Sequence, residues 1–198
     1  MGFDPDWLKE RWRFDAEARH VALTRAVCEH LTSVRGAVYI VDVGAGLGAN
    51  VRHVAPSLPG EQRWWLVDND PELLSKAPGA LAQWAQGQGW ASTPHQDGVT
   101  LHRPEGALEV HLAPGSMMTL DKLVPLQTLD LVTANAVFDL LSEAQFADFV
   151  GQLTTHQVAL WATLNVTGMS FESVGVFDDE PLHDEDRWVI GLYSAHMR

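Results

Sequence analysis

The stretch that decides the fold is AVYIVDVGAGLGAN, residues 37–50. Its first half is a short apolar run rich in β-branched residues, which is typical of a strand buried on both faces of a sheet. Its second half carries Gly44, Gly46 and Gly48, and a helical pattern follows. Glycines at the carboxyl end of a strand let a ligand approach the backbone, and the next helix presents free N–H groups. The stretch therefore predicts a ligand-binding turn in an α/β protein.

The pattern on both sides of this turn predicts a mostly parallel sheet with helices on both faces. Two helices are expected before it, within residues 1–35. After it we expect a second strand, a helix opened by Asp70 and Pro71 that runs to about Gln86, a hairpin, another buried strand, a helix from Ser142 to about Leu153 and a further strand. The strands are predicted at residues 62–70, 99–103, 107–112, 129–135 and 157–166.

Length and composition indicate one domain that spans residues 1–198. Its parts are a helical segment (1–35), an α/β core (36–176), and an acidic loop with a carboxyl-terminal amphipathic helix (177–198). One cysteine, no apolar run of 18 residues and a charged amino-terminal segment favour a cytoplasmic protein without a membrane partner.

The net charge of -13 is concentrated in the second half of the chain. Residues 104–186 carry 14 acidic residues and one basic residue, Lys122, whereas residues 1–103 carry 12 acidic and 10 basic residues. An acidic surface repels phosphate backbones. The composition therefore disfavours a nucleic-acid partner.

The spacing of the turn separates two classes of nucleotide ligand. Dinucleotide-binding proteins use a G-x-G-x-x-G turn, and here the third glycine, Gly48, comes one residue early. Asp42 stands two residues before the first glycine, where it would repel a pyrophosphate. The turn thus favours a ligand with a cationic head.

The segment resembles motif I of the class I S-adenosylmethionine-dependent methyltransferases, in which the first strand ends in an acid-x-Gly-x-Gly-x-Gly turn. Asp68, in LVDND, lies 20 residues after Gly48, where these enzymes place an acid that binds the ribose. The resemblance covers about residues 37–166. It implies a Rossmann-like methyltransferase fold with an amino-terminal helical lid. It also implies an enzyme that transfers a methyl group from S-adenosyl-L-methionine to a small molecule by in-line displacement.

Carried over to this chain, the resemblance implies a set of contacts to the methionine part of the cofactor. Asp42 would lie near its amino group, directly or through water. The backbone of Gly44, Ala45 and Gly46 would contact it, and Asn50 would either bind the carboxylate or brace the loop.

The same resemblance implies contacts to the amine and to the nucleoside. Asn135, at the end of the fourth strand of the family, would offer its carbonyl to the methionine amine. Asp68 would hold the ribose and Asn69 would lie beside the adenine. The acid that commonly meets the adenine amino group has no match, and Ser116 or the backbone of Met117 is expected in its place.

Two residues are candidates for a catalytic acid or base. Asp139 comes four residues after Asn135, beyond the strand end, and its alternative role is that of an acid at a helix amino terminus. His196 would serve as a base if the last helix folded over the cofactor, and its alternative is a surface histidine.

The amino-terminal helices supply the candidate substrate contacts. Arg11 and Arg19 could bind a carboxylate or phosphate, although a helical pair of Asp15 with Arg19 is an alternative. Trp12 could stack on a flat substrate or pack on a helix face. No histidine spacing indicates a metal site; a chance pairing is the alternative for His102 and His111, which the hairpin could place opposite each other.

Two other functions remain open: a nicotinamide-dependent oxidoreductase, and a binding or assembly protein that keeps the cofactor pocket without turnover. The methyltransferase sheet usually has seven strands, whereas 32 residues follow residue 166 here. Residues 169–177 (MSFESVGVF) could form one strand antiparallel to the strand before them. The sheet is therefore expected either to lack its usual last strands or to borrow a strand in a homodimer.

Overall fold

The structure, a computed structural model, describes residue 12, residues 14–163 and residue 188. Residues 14–18 are helical. The helices that follow are α1 (Val21–Thr32), α2 (Ala49–Val54), α3 (Pro71–Leu74), α4 (Ala77–Gly87), α5 (Leu120–Leu123) and α6 (Glu143–His156). The strands are β1 (Val38–Val43), β2 (Gln62–Asp68), β3 (Ala91–His95), β4 (Gly98–Arg103), β5 (Gly106–Pro114), β6 (Leu131–Asn135) and β7 (Ala159–Thr163). No helix in this part of the chain is both long and apolar enough to cross a membrane.

The seven strands form one sheet in the order β3-β4-β5-β2-β1-β6-β7. Five of them, β5, β2, β1, β6 and β7, are parallel, and β3 and β4 are antiparallel additions at one edge. Numbered along the chain, the parallel strands have the order 3-2-1-4-5, which is that of a doubly wound sheet. The predicted Rossmann-like fold is confirmed.

Both faces of the sheet carry an apolar layer, because successive side chains of a buried strand point to opposite sides. On one face Ile40 and Trp64 pack with residues of α1, α2 and α4. On the other face Val41 and Val132 pack with Phe149 of α6. The strand order reverses between the parallel neighbours β1 and β6, so a crevice opens at the carboxyl ends of these two strands.

Two helices begin at the capping residues that the sequence predicts for them. Asp70 caps α3, accepting a hydrogen bond from the Leu73 amide at 2.9 Å, and Pro71 occupies the first turn. Ser142 and Gln145 form a reciprocal capping box on α6. Each cap satisfies backbone donors that the helix itself leaves free.

The structure corrects three sequence predictions. The helix expected from Asp70 to Gln86 is two helices, since α3 ends at Leu74 and α4 begins at Ala77 with Pro78 in its first turn. A proline ring there is incompatible with a continuous helix. The strand β3 was not predicted, because every one of its residues is exposed and no alternation marks it.

The third correction concerns the two hairpin histidines. His102 pairs with Ala107 and His111 pairs with Gly98, so the two side chains do not face each other. Among the described residues no group of three His, Cys, Asp or Glu side chains could hold a metal ion.

The apolar residues of α1, the helix before β1, are only partly buried. Leu31 is fully buried, whereas Val21 is 76% exposed on α1. The predicted first helix at Asp4 and Pro5, the strand after residue 166 and most of the last helix lie outside the described residues.

Candidate functional site

A cavity of about 660 Å³ lies at the carboxyl ends of β1, β2, β5 and β6. This volume is within the usual range for small-molecule sites. Every residue that the resemblance assigned to the cofactor lines it, together with Trp12: Asp42, Gly44, Ala45, Gly46, Asn50, Asp68, Asn69, Ser116, Met117 and Asn135. The structure thus brings residues from four strand ends into one site.

The glycine-rich turn after β1 has a backbone that favours glycine. Gly44, Gly46 and Gly48 have φ angles of 62°, 50° and 78°, in the left-handed region. A Cβ at Gly44 would clash with the side chain of Val137, and a Cβ at Gly48 would lie 3.1 Å from Leu81 of α4. The first glycine lets the turn approach the loop after β6, and the third lets α2 start against α4.

Asp68 ties the turn to the end of β2. Its Oδ2 accepts a hydrogen bond from the Gly46 amide at 2.8 Å, and its Oδ1 accepts one from the Asp70 amide at 3.0 Å. A carboxylate has about four lone-pair sites, so both oxygens can accept further hydrogen bonds. Asp68 is partly exposed and lines the cavity, which leaves it able to bind a ligand diol.

Asp42 lies at the floor of the cavity in a buried polar network. Its Oδ1 accepts hydrogen bonds from Asn50 Nδ2 at 2.6 Å and from Thr133 Oγ1 at 2.8 Å. Asn50 thereby braces the turn against β1, one of the two roles considered for it. Its Oδ1 is buried without a hydrogen-bond partner, so the amide keeps one acceptor for a ligand or water.

Burial raises the pKa of Asp42 from its ordinary value of 3.8 to about 6. The hydrogen bonds from Asn50 and Thr133 and the charge of Arg19 act in the opposite direction and are outweighed. The folded protein therefore holds this proton more tightly than the unfolded chain does.

This pKa shift predicts that the difference in stability between the wild type and Asp42→Asn depends on pH. The stabilisation that protonated Asp42 provides is fully present below pH 3.8 and is lost as the pH rises through about 6. The amide of the variant does not titrate, so the stability of Asp42→Asn relative to the wild type should increase by about 2 kcal/mol between pH 4 and pH 7. Urea unfolding of both proteins at these pH values measures the difference, and a constant difference would contradict the shift.

The loop after β6 forms the wall opposite Asp68. Asn135 donates to Asp15 Oδ2 at 3.4 Å and accepts from Thr163 Oγ1 at 2.8 Å. Ala136 has a φ of 53°, which is uncommon for a residue other than glycine, and the hydrogen bond from its amide to the Thr163 carbonyl holds it there. The loop is thus fixed by β7 and by the amino-terminal segment.

The end of β5 forms the remaining wall. The Gly115 amide donates to the Asp68 carbonyl, which joins this loop to β2. Ser116 Oγ accepts from the Met118 amide at 3.2 Å, whereas Asn69 across from this loop is exposed. An adenine would find here the Met117 backbone and the Asn69 side chain as polar partners.

The candidates for catalysis and substrate binding are less clearly placed. Asp139 does not line the cavity; it lies in the short 3-10 turn Phe138–Leu140, and its Oδ1 is buried without a hydrogen-bond partner. Arg19 is buried behind the cavity wall, 5.7 Å from the centre of the Trp161 ring. His196 and Arg11 lie outside the described residues. The roles of all four remain predictions.

Sequence reasoning missed several residues of the cavity. Arg52 of α2 lies in its wall, 5.1 Å from the Trp12 ring centre, and Leu140, Leu141 and Gln145 contribute from the loop before α6 and from its first turn. An arginine in a predicted helix usually marks a solvated face, so no signal in the sequence distinguished Arg52.

No family model and no curated protein matches this chain. Solved structures with a similar fold include the CurJ carbon methyltransferase (15% identity, TM-score 0.48), the small RNA methyltransferase HEN1 (18%, 0.47) and an S-adenosylmethionine-dependent methyltransferase from Mesorhizobium loti (16%, 0.41). They cover 81%, 73% and 67% of this chain, which spans 41%, 17% and 46% of theirs.

The fold follows from the described residues themselves. The glycine-rich turn after β1 and the acid at the end of β2 occur where the sequence predicts them, and the parallel strands have the 3-2-1-4-5 order of a doubly wound sheet. The chain therefore has a Rossmann-like fold.

Proposed function

We propose that this protein binds S-adenosyl-L-methionine in the cavity and transfers its methyl group to a small-molecule acceptor. The observation that carries the proposal is the carboxylate of Asp68, held by the Gly46 and Asp70 amides at the edge of the cavity. This arrangement presents two oriented acceptor oxygens beside a turn that a ligand can approach closely. A ribose with two free hydroxyls matches it.

The charge of the cavity supports a cationic ligand rather than a pyrophosphate. Asp15, Asp42, Asp68 and Asp70 all contribute to its wall. When bound, S-adenosylmethionine supplies a methyl group on a positively charged sulfonium. Negative side chains attract such a group and repel the phosphates of a dinucleotide, which makes the oxidoreductase alternative the weaker one.

Two features of the site fit this cofactor. Gly44 packs so closely against Val137 that a Cβ at this position would clash. The turn therefore presents its backbone, and no side chain, to a ligand at this point. The buried, unpartnered Oδ1 of Asn50 can accept from the methionine amine directly or through water. Asp42, Asn135 and the turn would hold the amino acid part, and Asp68, Asn69 and Met117 the nucleoside.

The task of the protein residues in such a reaction is alignment. An in-line displacement needs the acceptor atom placed behind the methyl carbon, and positioning of this kind lowers a barrier by about 7–11 kcal/mol. A base is needed only for a protonated acceptor, and Asp139 and His196 are proposed for that step. The homodimer and the cytoplasmic location stay predictions of the same kind.

Calorimetric titration of the full chain tests the cofactor. S-adenosylhomocysteine should bind one site per chain with micromolar or better affinity, and NAD should not bind at tenfold higher concentration. Binding of NAD in preference to S-adenosylhomocysteine would establish the oxidoreductase alternative. Absence of binding of either would refute the proposal.

Transfer of a labelled methyl group tests turnover and acceptor class. Small acceptors with hydroxyl, amine, thiol or carbon nucleophiles should be labelled, whereas short single-stranded and duplex RNA should not. Labelling of RNA alone would overturn the small-molecule assignment. Binding of S-adenosylhomocysteine without labelling of any acceptor would favour the non-catalytic alternative.

A further inference from the structure

Arg52 is a half-buried cation in the cavity wall, and no side chain among the described residues neutralises it. Its Nε is buried without a hydrogen-bond partner, and no carboxylate of the described residues pairs with its guanidinium. Two other arginines of the described residues have partners within the protein. Arg103 donates to four backbone carbonyls, and Arg63 lies 3.2 Å from Glu109. Arg52 thus has a hydrogen-bonding capacity that the described residues do not use.

The position of Arg52 distinguishes it from the proposed cofactor contacts. It follows the glycine-rich turn by a full helical turn, and its guanidinium lies 5.1 Å from the ring centre of Trp12, which belongs to the amino-terminal segment. Among the described residues that line the cavity, it is the sole lysine or arginine. Among the described residues a single cation therefore faces a cavity otherwise lined by carboxylates, neutral polar groups and apolar groups, on the side where Trp12 lies.

Its environment also indicates that Arg52 is not retained for stability. Burial lowers its pKa to about 10, so it stays charged at neutral pH and bears the cost of desolvation. A desolvated charge without a partner destabilises the free protein, and the contact with one aromatic ring offsets little of this. Groups that cost stability in the free protein are typical of binding sites.

We propose that Arg52 binds an anionic group, a carboxylate or phosphate, of the methyl acceptor. This inference rests on the proposed function, because the cofactor must occupy the Asp68 side of the same cavity. Guanidinium is suited to the task, since its fork of N–H donors binds both kinds of anion in a bidentate manner. Trp12 would pack on the guanidinium and keep it directed into the cavity.

The experiment uses the full chain saturated with S-adenosylhomocysteine and three matched probes. Benzoate and phenyl phosphate carry the anion on the same ring as benzamide, which is neutral. We expect at least one of the two anions to bind about tenfold more tightly than benzamide, and this preference to disappear in Arg52→Gln and to be partly kept in Arg52→Lys. The stronger of the two anions then identifies the class. Arg35→Gln, at an exposed position outside the cavity wall, is the control and should keep the preference.

A second titration excludes the cofactor as the source of the anion. S-adenosylhomocysteine has a carboxylate, and 5′-methylthioadenosine is the corresponding nucleoside without it. Arg52→Gln should bind both as the wild type does. A selective loss of S-adenosylhomocysteine affinity would assign Arg52 to the methionine carboxylate and overturn the proposal, as would equal binding of the two anions and benzamide to the wild type. If the wild type bound no S-adenosylhomocysteine at all, the proposed function itself would fail.

Thermal unfolding gives a readout that a purely structural arginine would not show. The free Arg52→Gln protein should melt at the same temperature as the wild type or higher, because an unpaired buried charge has been removed. A decrease of more than about 4 °C would indicate that Arg52 supports the fold, and it would contradict the inference.

Discussion

Asp68→Ala is expected to weaken the binding of S-adenosylhomocysteine by about 100-fold or more. The carboxylate would accept hydrogen bonds from two ribose hydroxyls, and each bond to a charged group contributes about 1.5–3 kcal/mol. Two such bonds correspond to at least a factor of about 100 in affinity. The substitution also removes the acceptors that hold the Gly46 and Asp70 amides, so the turn loses its anchor on β2. Isothermal calorimetry at fixed salt concentration measures the change.

Two further variants serve as comparisons: one removes the charge of Asp68 but keeps its shape, and the other is a control outside the cavity. Asp68→Asn keeps one carbonyl oxygen for the Gly46 amide and should give an intermediate loss. Asp97→Asn, at an exposed position in the turn between β3 and β4, should bind like the wild type. An affinity of Asp68→Ala within threefold of the wild type would show that Asp68 does not contact the ligand.

Gly44→Ala is expected to lower both the stability of the protein and its affinity for S-adenosylhomocysteine. Its new Cβ would clash with Val137, and an alanine at a φ of 62° bears a backbone strain of about 1–2 kcal/mol. Relief of the clash requires the turn or the loop after β6 to move, and both line the cavity. We expect a loss of unfolding free energy greater than the strain alone and an affinity loss of tenfold or more. Urea unfolding and calorimetry give the two quantities.

The chain offers a matched control for the backbone strain. Gly60 has a φ of 74°, and no atom lies within 4 Å of the position where its Cβ would stand. Gly60→Ala should therefore show the strain without the clash and should leave affinity unchanged. The difference in lost unfolding free energy between Gly44→Ala and Gly60→Ala measures the clash with Val137. Combining Gly44→Ala with Val137→Ala in one protein should reduce this difference. Equal losses at the two glycines would refute the importance of the close approach.

The centre of the sheet and of the site could be predicted from the sequence because local signals and tertiary packing agree there. The β-branched run of β1 ends in glycines that need a left-handed backbone, and Asp68 ends the neighbouring strand. Parallel strands place their carboxyl ends at one edge of the sheet, so residues far apart in sequence meet there. The same reasoning located Asn135 and the loop after β5, although it left open which of Ser116 and Met117 would contact a ligand.

Features that depend on packing alone were not predictable. The strand β3 is exposed and contains Pro94, so neither alternation nor propensity marks it; only its pairing with β4 makes it a strand. Arg52 resembles any solvated helix residue until α2 and Trp12 are seen to enclose it. The register of the hairpin separates His102 from His111. The turn at Pro104 and Glu105 sets this register, and the two histidines do not.

The most direct test of the central claim is a crystal structure of the full chain with S-adenosylhomocysteine. We expect the two ribose hydroxyls to lie within hydrogen-bond distance of the Asp68 carboxylate. The amino acid part should lie over the turn at residues 44–46, and the adenine should lie between Asn69 and Met117. A ligand bound elsewhere, or bound with its ribose away from Asp68, would contradict it.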